Sequence, residues 1–349
     1  MTTRVLKYGA PLLVYFGALV SFLSTGWVVY LPLVYAWAIV PVLELVLPAD
    51  EANLSAAEEE LARSSRWYDW MLYAIVPLQF GALALFLSSV AGGSGTTADI
   101  VGRTLVMGLL CGTFGINVGH ELGHRAGRFE RFLAKGLLLS SLYMHFYIEH
   151  NKGHHRHVAT PQDPSSARLG EPVYLFWLRS ITGSYRSAWS IATRDAERAG
   201  TGILGNEMVL FHLVQVSFLV LVYVAFGGWG LLLFALAALE GILLLETVNY
   251  IEHYGLRREA TGPGTYERAR AVHSWNSNHI IGRVMLFELS RHSDHHFLAS
   301  RKYQVLRHHV DAPQMPTGYP GMMLLSLVPP AWFRVMDRRV ERMKRGGEE

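Results

Sequence analysis

WGLLLFALAALEGILLLETVNYIEHYGL, from Trp229 to Leu256, is the stretch that sets the architecture. Its opening 20 residues carry no charge but Glu240 and Glu246, and such a run gives a helix of about 30 Å, the thickness of bilayer hydrocarbon. Directly behind it stands His253, between Glu252 and Tyr254. A membrane helix that ends on an imidazole flanked by a carboxylate suggests chemistry at the edge of the bilayer.

Outward from this stretch the same pattern recurs. Gly9 to Thr25, Trp27 to Leu47, Met71 to Ala91, Ile100 to Val118 and Met208 to Phe226 are comparable apolar runs. With 229–248 they predict an all-α integral membrane protein of six transmembrane helices, a single domain over 1–349. Charged residues make up 17% of the chain, against about a quarter in soluble proteins. The first run is followed almost at once by the second, with no small-residue cleavage site between them, so it is expected to be retained as a span.

Turns around Gly26, from Gly92 to Thr97 and at Gly227-Gly228 lack Lys and Arg, whereas nearly all basic residues lie in the opposite segments. The positive-inside rule places those segments in the cytoplasm, with Arg103 as the exception. Both termini, loop 48–70, segment 120–207 and the tail 249–349 then share the cytoplasmic side, and 120–207 and 249–349 are the expected catalytic segments. Phe132 to Ile148 is apolar but short and carries Lys135 and His145. It reads as an in-plane or re-entrant helix, because a full crossing would separate the histidine groups on either side of it. Glu44, Glu240 and Glu246 lie in or near spans, where a carboxylate is either functional or hydrogen-bonded inside the bundle.

Nine imidazoles fall into four groups: His120 and His124; His150, His154 and His155; His253; and His292, His295 and His296. Nine are too many for one metal ion and suit two. His120 and His124, four apart at a helix end, point to one side. Each triple combines an i, i+4 pair (His150 with His154, His292 with His296) with one further ring on a neighbouring face, so that each could serve both ions. Taken alone, His120-Glu121-x-x-His124 is also the zinc-protease pattern, but that chemistry leaves the other groups unexplained. A metal transporter would string its histidines near mid-membrane, whereas these stand at helix ends. Glu121, Glu149, Glu252 and Asp294 accompany the groups and are expected to accept the second N–H of ligating imidazoles. His145, His157, His212, His273, His279, His308 and His309 are expected to be structural or to support the ligating rings, not to bind metal themselves. One cysteine, Cys111, excludes a disulfide and a built-in iron–sulfur or rubredoxin module, so reducing equivalents must come from another protein.

HELGHR, EHNKGHHRHVATPQDP, NYIEHYGL, HSWNSNHI, LSRHSDHH and PTGYPG, spread from about Gly115 to Met336, together resemble the membrane-bound alkane monooxygenases. Desaturases and fatty-acid hydroxylases share the histidine boxes in looser form. The resemblance implies that the nine histidines hold two iron ions in a non-haem di-iron centre. It implies hydroxylation of the terminal methyl of linear alkanes with O₂, electrons arriving from rubredoxin and an NADH-dependent rubredoxin reductase. It also implies an inner-membrane protein with no nucleic-acid partner. Arg125, Ser290 and Phe297 depart from the family's usual residues without removing a ligand. Related hydroxylases keep aromatic methyl groups and fatty acyl chains open as substrates. Arg125, Arg128, Arg131, Lys135, Lys152 and Arg156 lie near the ligand segments and either receive an acidic rubredoxin or anchor the cytoplasmic face.

Overall fold

A computed structural model describes residues 2–92 and 95–345. The expected turn at 92–97 therefore includes Gly93 and Ser94, outside the described residues. Helix dominates, and the one sheet among the described residues is a hairpin of Ala260–Gly262 with Thr265–Tyr266. Five helices are long and apolar enough to cross a membrane: Arg4–Leu23, Gly26–Val46, Trp67–Ala91, Thr97–Gly123 and Glu207–His253. The last merges the two runs expected at 208–226 and 229–248. It has 47 residues but leaves helical geometry at Gly227, with φ 71° and ψ −179°, a conformation that glycine adopts without a Cβ penalty. Phe132 to Ile148 forms no span. The helix Arg128–Leu139 stops before a turn in which Leu142 has φ 53°, and only the short helix Phe146–Glu149 follows.

The chain divides into two compact units, each assembled from three separate stretches. The first comprises Met1–Ala38, Ser65–Glu149 and Tyr185–Leu245; the second comprises Ile39–Ser64, His150–Ser184 and Glu246–Glu349.

In the first unit, small residues let helices approach closely. A Cβ on Gly241 would lie 2.6 Å from Cys111 Cβ and 2.9 Å from the Gly112 backbone nitrogen, and one on Gly112 would lie 3.1 Å from the Gly241 carbonyl. Gly108, one turn earlier, leaves room for the Glu240 side chain. Lipid supplies no hydrophobic force between helices, so such close packing is what holds them together. Gly241→Val should therefore lower stability by about 1–3 kcal/mol, read as a fall in the unfolding temperature of the detergent-solubilised protein. Arg103, the exception to the charge rule, is buried and donates to Ser89 O at 2.8 Å and Ser24 O at 2.7 Å. It thus caps the carbonyl ends of two membrane helices, where a cation is favoured.

In the second unit, the segment from His273 to His279 closes the end of the long helix. The last turn of a helix leaves carbonyls without intrahelical partners. Here Trp275 satisfies two of them, its backbone N–H donating to Glu252 O at 2.8 Å and its indole N–H to Tyr254 O at 2.9 Å. Asn276 and Asn278 both donate to Gln314 Oε1, at 3.1 and 3.0 Å. Arg291, 2% exposed, gathers the carbonyls of Asp50, Ala52 and Leu306 at 2.9–3.1 Å. Glu44 is buried and accepts the Gly282 N–H at 2.7 Å, so this carboxylate near the end of a span serves as a helix cap for Ile280–Met285.

Candidate metal centre

His120 and His124 belong to the first unit. A π-helical turn, Cys111–Ile116, leads into the helix Asn117–Gly123, and the two rings sit with centroids 4.8 Å apart at its end. Glu121 accepts from Arg125 at 2.6 Å.

The other seven histidines belong to the second unit, where local backbone geometry sorts them. His150–His154 is a π-helical turn, in which hydrogen bonds run from i to i+5. Residues five apart are thereby brought to one side, and the Nε2 atoms of His150 and His155 lie 3.0 Å apart. The sequence reading had paired His150 with His154 at α-helical spacing; the π turn instead rotates His154 away, and its Nε2 stands 3.2 Å from that of His296. His292–Phe297 is α-helical, so His292 and His296 stay together while His295 faces elsewhere, with its Nε2 3.1 Å from that of His155. His253 Nε2 lies 3.3 Å from His292 Nε2.

Two sets result. His154, His253, His292 and His296 bring one nitrogen each within 4.8 Å of one another, all buried; His150, His155 and His295 form a second row. The nitrogen–nitrogen gaps of 3.0–3.3 Å match neighbouring ligands on one ion at metal–nitrogen bonds of about 2.1 Å. Burial, then the neighbouring imidazoles, hold His295 and His296 well below the ordinary histidine value. That shift favours the neutral ring, which presents a lone pair to a metal.

Asp163 fixes the tautomer of His154. Its Oδ2 accepts from His154 Nδ1 at 2.9 Å and from Ser166 Oγ at 2.6 Å, while Oδ1 accepts the Ser165 N–H at 3.0 Å. With Nδ1 donating, Nε2 of His154 is left as the metal-facing nitrogen. Sequence reasoning did not single out Asp163. The available signal was an acid nine residues beyond His154, in a Pro-bounded turn that brings it back to the ring.

Residues 99–326 match the fatty acid desaturase family model, a range that contains all nine histidines. The chain is 40% identical over 322 residues to alkane 1-monooxygenase of Pseudomonas putida, covering 91% of this chain and 80% of that protein. It is 38% identical over 322 residues to alkane 1-monooxygenase 1 of Alcanivorax borkumensis, with coverages of 91% and 79%.

This chain belongs to the alkane 1-monooxygenase family.

A more distant relative is the xylene/toluene monooxygenase hydroxylase component of Pseudomonas putida, 28% identical over 304 residues, 85% of this chain and 78% of that protein.

Within this family member the four expected carboxylates take different places. Glu252 accepts from Tyr319 Oη at 2.8 Å and brings Oε2 to 3.1 Å from His292 Nε2. It therefore meets the inward nitrogen of that ring, not the outward one that had been expected. Asp294 is bound by Arg301, by the Arg307 N–H at 2.9 Å and by His309 Nε2 at 2.7 Å. Those bonds staple the loop after the last histidine box, and they are not bonds to a clustered ring. Glu149 is buried next to His150.

The remaining histidines have other occupations. His212 is bonded through Nδ1 to Met208 O at 2.6 Å and through Nε2 to Tyr185 Oη at 2.9 Å. His273 meets Glu267, His279 meets Ser277 and His308 meets Asn278. Burial, then His212, pushes His145 down to about 4 from its ordinary 6.5. Below pH 6.5 the unfolded chain takes up a proton that folded His145 refuses, so stability is lost as pH falls from about 6.5 toward about 4. His145→Phe should flatten the pH dependence of the unfolding temperature across that window.

Proposed function

We propose that the chain is an alkane 1-monooxygenase that hydroxylates the terminal methyl of medium-chain linear alkanes. The reaction takes up O₂, two electrons and two protons and yields a 1-alkanol and water. The observation that carries this reading is the sorting of largely buried imidazoles into two sets with metal-ligand spacing, in a chain of this family.

Two iron ions fit the donors. His154, His253, His292 and His296 would hold one. His150, His155 and His295 would hold the other, completed on sequence grounds by His120 and His124. Bound iron would supply O₂ activation, which no side chain of this protein offers. The protein's own residues do the positioning. Asp163 orients His154, Glu252 and Tyr319 restrain His292, and Trp275 locks the helix end that carries His253. Burial of the rings keeps water from the reacting centre. A terminal methyl is stronger than internal C–H bonds, so end-on presentation between apolar helices must select it.

Six crossings follow if the 47-residue helix turns back at Gly227, since about 70 Å of helix exceeds twice the hydrocarbon thickness. The chain would then lie in the inner membrane with its histidines toward the cytoplasm. Rubredoxin, reduced by an NADH-dependent rubredoxin reductase, would deliver the electrons. Product analysis from octane, toluene and a fatty acyl substrate, with O₂ and this donor system, tests the reading. 1-Octanol as the main product is expected; benzyl alcohol or a desaturated acyl chain in its place would assign the enzyme to another substrate class.

A further inference from the structure

The proposed reaction consumes two electrons per turnover, and one cysteine is too few to ligate an iron–sulfur relay in this sequence. A soluble one-electron carrier must therefore dock close to a histidine set. In the second unit, solvent reaches close to such a set. A pocket of about 230 Å³ is lined by Thr160, Asp163, Ser166, Arg168 and Arg257 among others. Asp163 is 3% exposed and is the residue bonded to His154 at 2.9 Å. A group lodged in this pocket is one hydrogen-bonded side chain away from the four-histidine set.

The surroundings of the pocket are basic. Arg168 and Arg257 are exposed. The turn between them and the set packs on the helix Pro329–Lys344: a Cβ on Gly255 would lie 3.0 Å from Val340 and 3.2 Å from Leu169. That helix turns Trp332, Met336 and Val340 inward and Arg334, Arg338 and Arg342 outward, at i, i+4 and i+8, followed by exposed Arg345. Among the described residues none of these four arginines forms an ion pair, and Glu341 is the lone acid on the exposed row. An amphipathic helix that lies on lipid must give its apolar face to the membrane; here that face is spent inside the protein, and only charge is left outside. Trp332 in turn packs against Tyr254, with ring centroids 5.3 Å apart, next to His253.

We propose that the rim of this pocket and the outward arginines of Pro329–Lys344 form the docking surface for the acidic one-electron carrier, with electrons entering through the Asp163–His154 contact. The inference rests on the electron requirement of the proposed function and moves the docking site away from the cluster suggested by sequence. In that cluster Arg125 is paired with Glu121 at 2.6 Å and Lys135 with Glu207 at 2.6 Å. Two carriers give one electron each and the substrate C–H bond gives two, and with two protons from solvent these reduce O₂ to water and the alcohol oxygen.

The test uses the full chain in nanodiscs of neutral lipid, titrated with reduced rubredoxin at low and high salt. Arg338→Glu/Arg342→Glu and Arg168→Glu/Arg257→Glu should each raise the dissociation constant about tenfold at low salt and flatten its salt dependence, as expected for charge-steered docking. Arg128→Glu/Arg131→Glu should leave binding within about twofold. Normal binding in both of the first two variants, an equal loss in the third, or no binding by the parent protein would overturn the proposal. Co-sedimentation with phosphatidylserine vesicles that is lost in the variants while rubredoxin binding persists would overturn it too, assigning the arginines to lipid. Octane hydroxylation driven by a chemical reductant reads the centre without the carrier; its absence in the parent protein would sink the proposed function and leave the binding result standing on its own.

Discussion

His154→Ala, His253→Ala and His292→Ala are each expected to abolish alkane hydroxylation by loss of bound iron, while the protein still reaches the membrane. The three rings are 0–2% exposed and belong to one set of four donors. Removing one takes away a quarter of that set's nitrogen donors, which weakens its hold on an ion in competition with water. His212→Ala supplies the contrast. Its ring is bonded at both nitrogens to groups outside the sets, so iron content should match the parent. Equal iron in His292→Ala and His212→Ala, measured on purified protein, would separate ligation from the chemistry proposed.

The second large effect concerns Asp163. Asp163→Asn keeps the size of the side chain but removes the charge that accepts from His154 Nδ1 and Ser166. Partners of this kind typically contribute about 10–100-fold in metal affinity, so the variant should lose iron to a chelator at correspondingly lower concentration. Its circular dichroism should be unchanged. Since Asp163 hydrogen-bonds to one clustered histidine, His154, the loss should reach about half of the bound iron before the rest follows. An unchanged chelator titration would show that His154 is oriented without it.

What the sequence made legible follows from which interactions are local. Spans could be read because each needs only an unbroken apolar run, and the cysteine and histidine counts are composition. At Gly227 the expected turn corresponds to a break in helical geometry inside one 47-residue helix. The partition of the histidine triples was only half legible. That each triple splits between two faces follows from i, i+3 and i+4 spacing, but the π turn at His150–His154, which pairs His150 with His155, depends on hydrogen bonds that leave no trace in residue spacing. Carboxylate partners were the least legible. Asp294 and Glu121 stand among the histidines yet face arginines, whereas Asp163, at the far end of EHNKGHHRHVATPQDP, bonds to a clustered ring. Proximity in sequence is a weak guide to which acid a buried imidazole meets, because a turn such as 158–166 can fold back a residue that spacing ignores.

The scaffold motifs have a comparable explanation. HSWNSNH resembles a ligand segment by its histidines, but its tryptophan and asparagines cap the end of the long helix and bind Gln314. Its role is to hold His253 and its neighbours in register, which no count of donors would have suggested.

Metal analysis joined to X-ray absorption at the iron edge, on the purified, membrane-reconstituted and catalytically active protein, tests the central claim most directly. About two iron ions per chain, in a first shell dominated by imidazole nitrogen at about 2.0–2.2 Å, is the expected result. Full hydroxylase activity with less than about one iron per chain, or with zinc in its place, would contradict it.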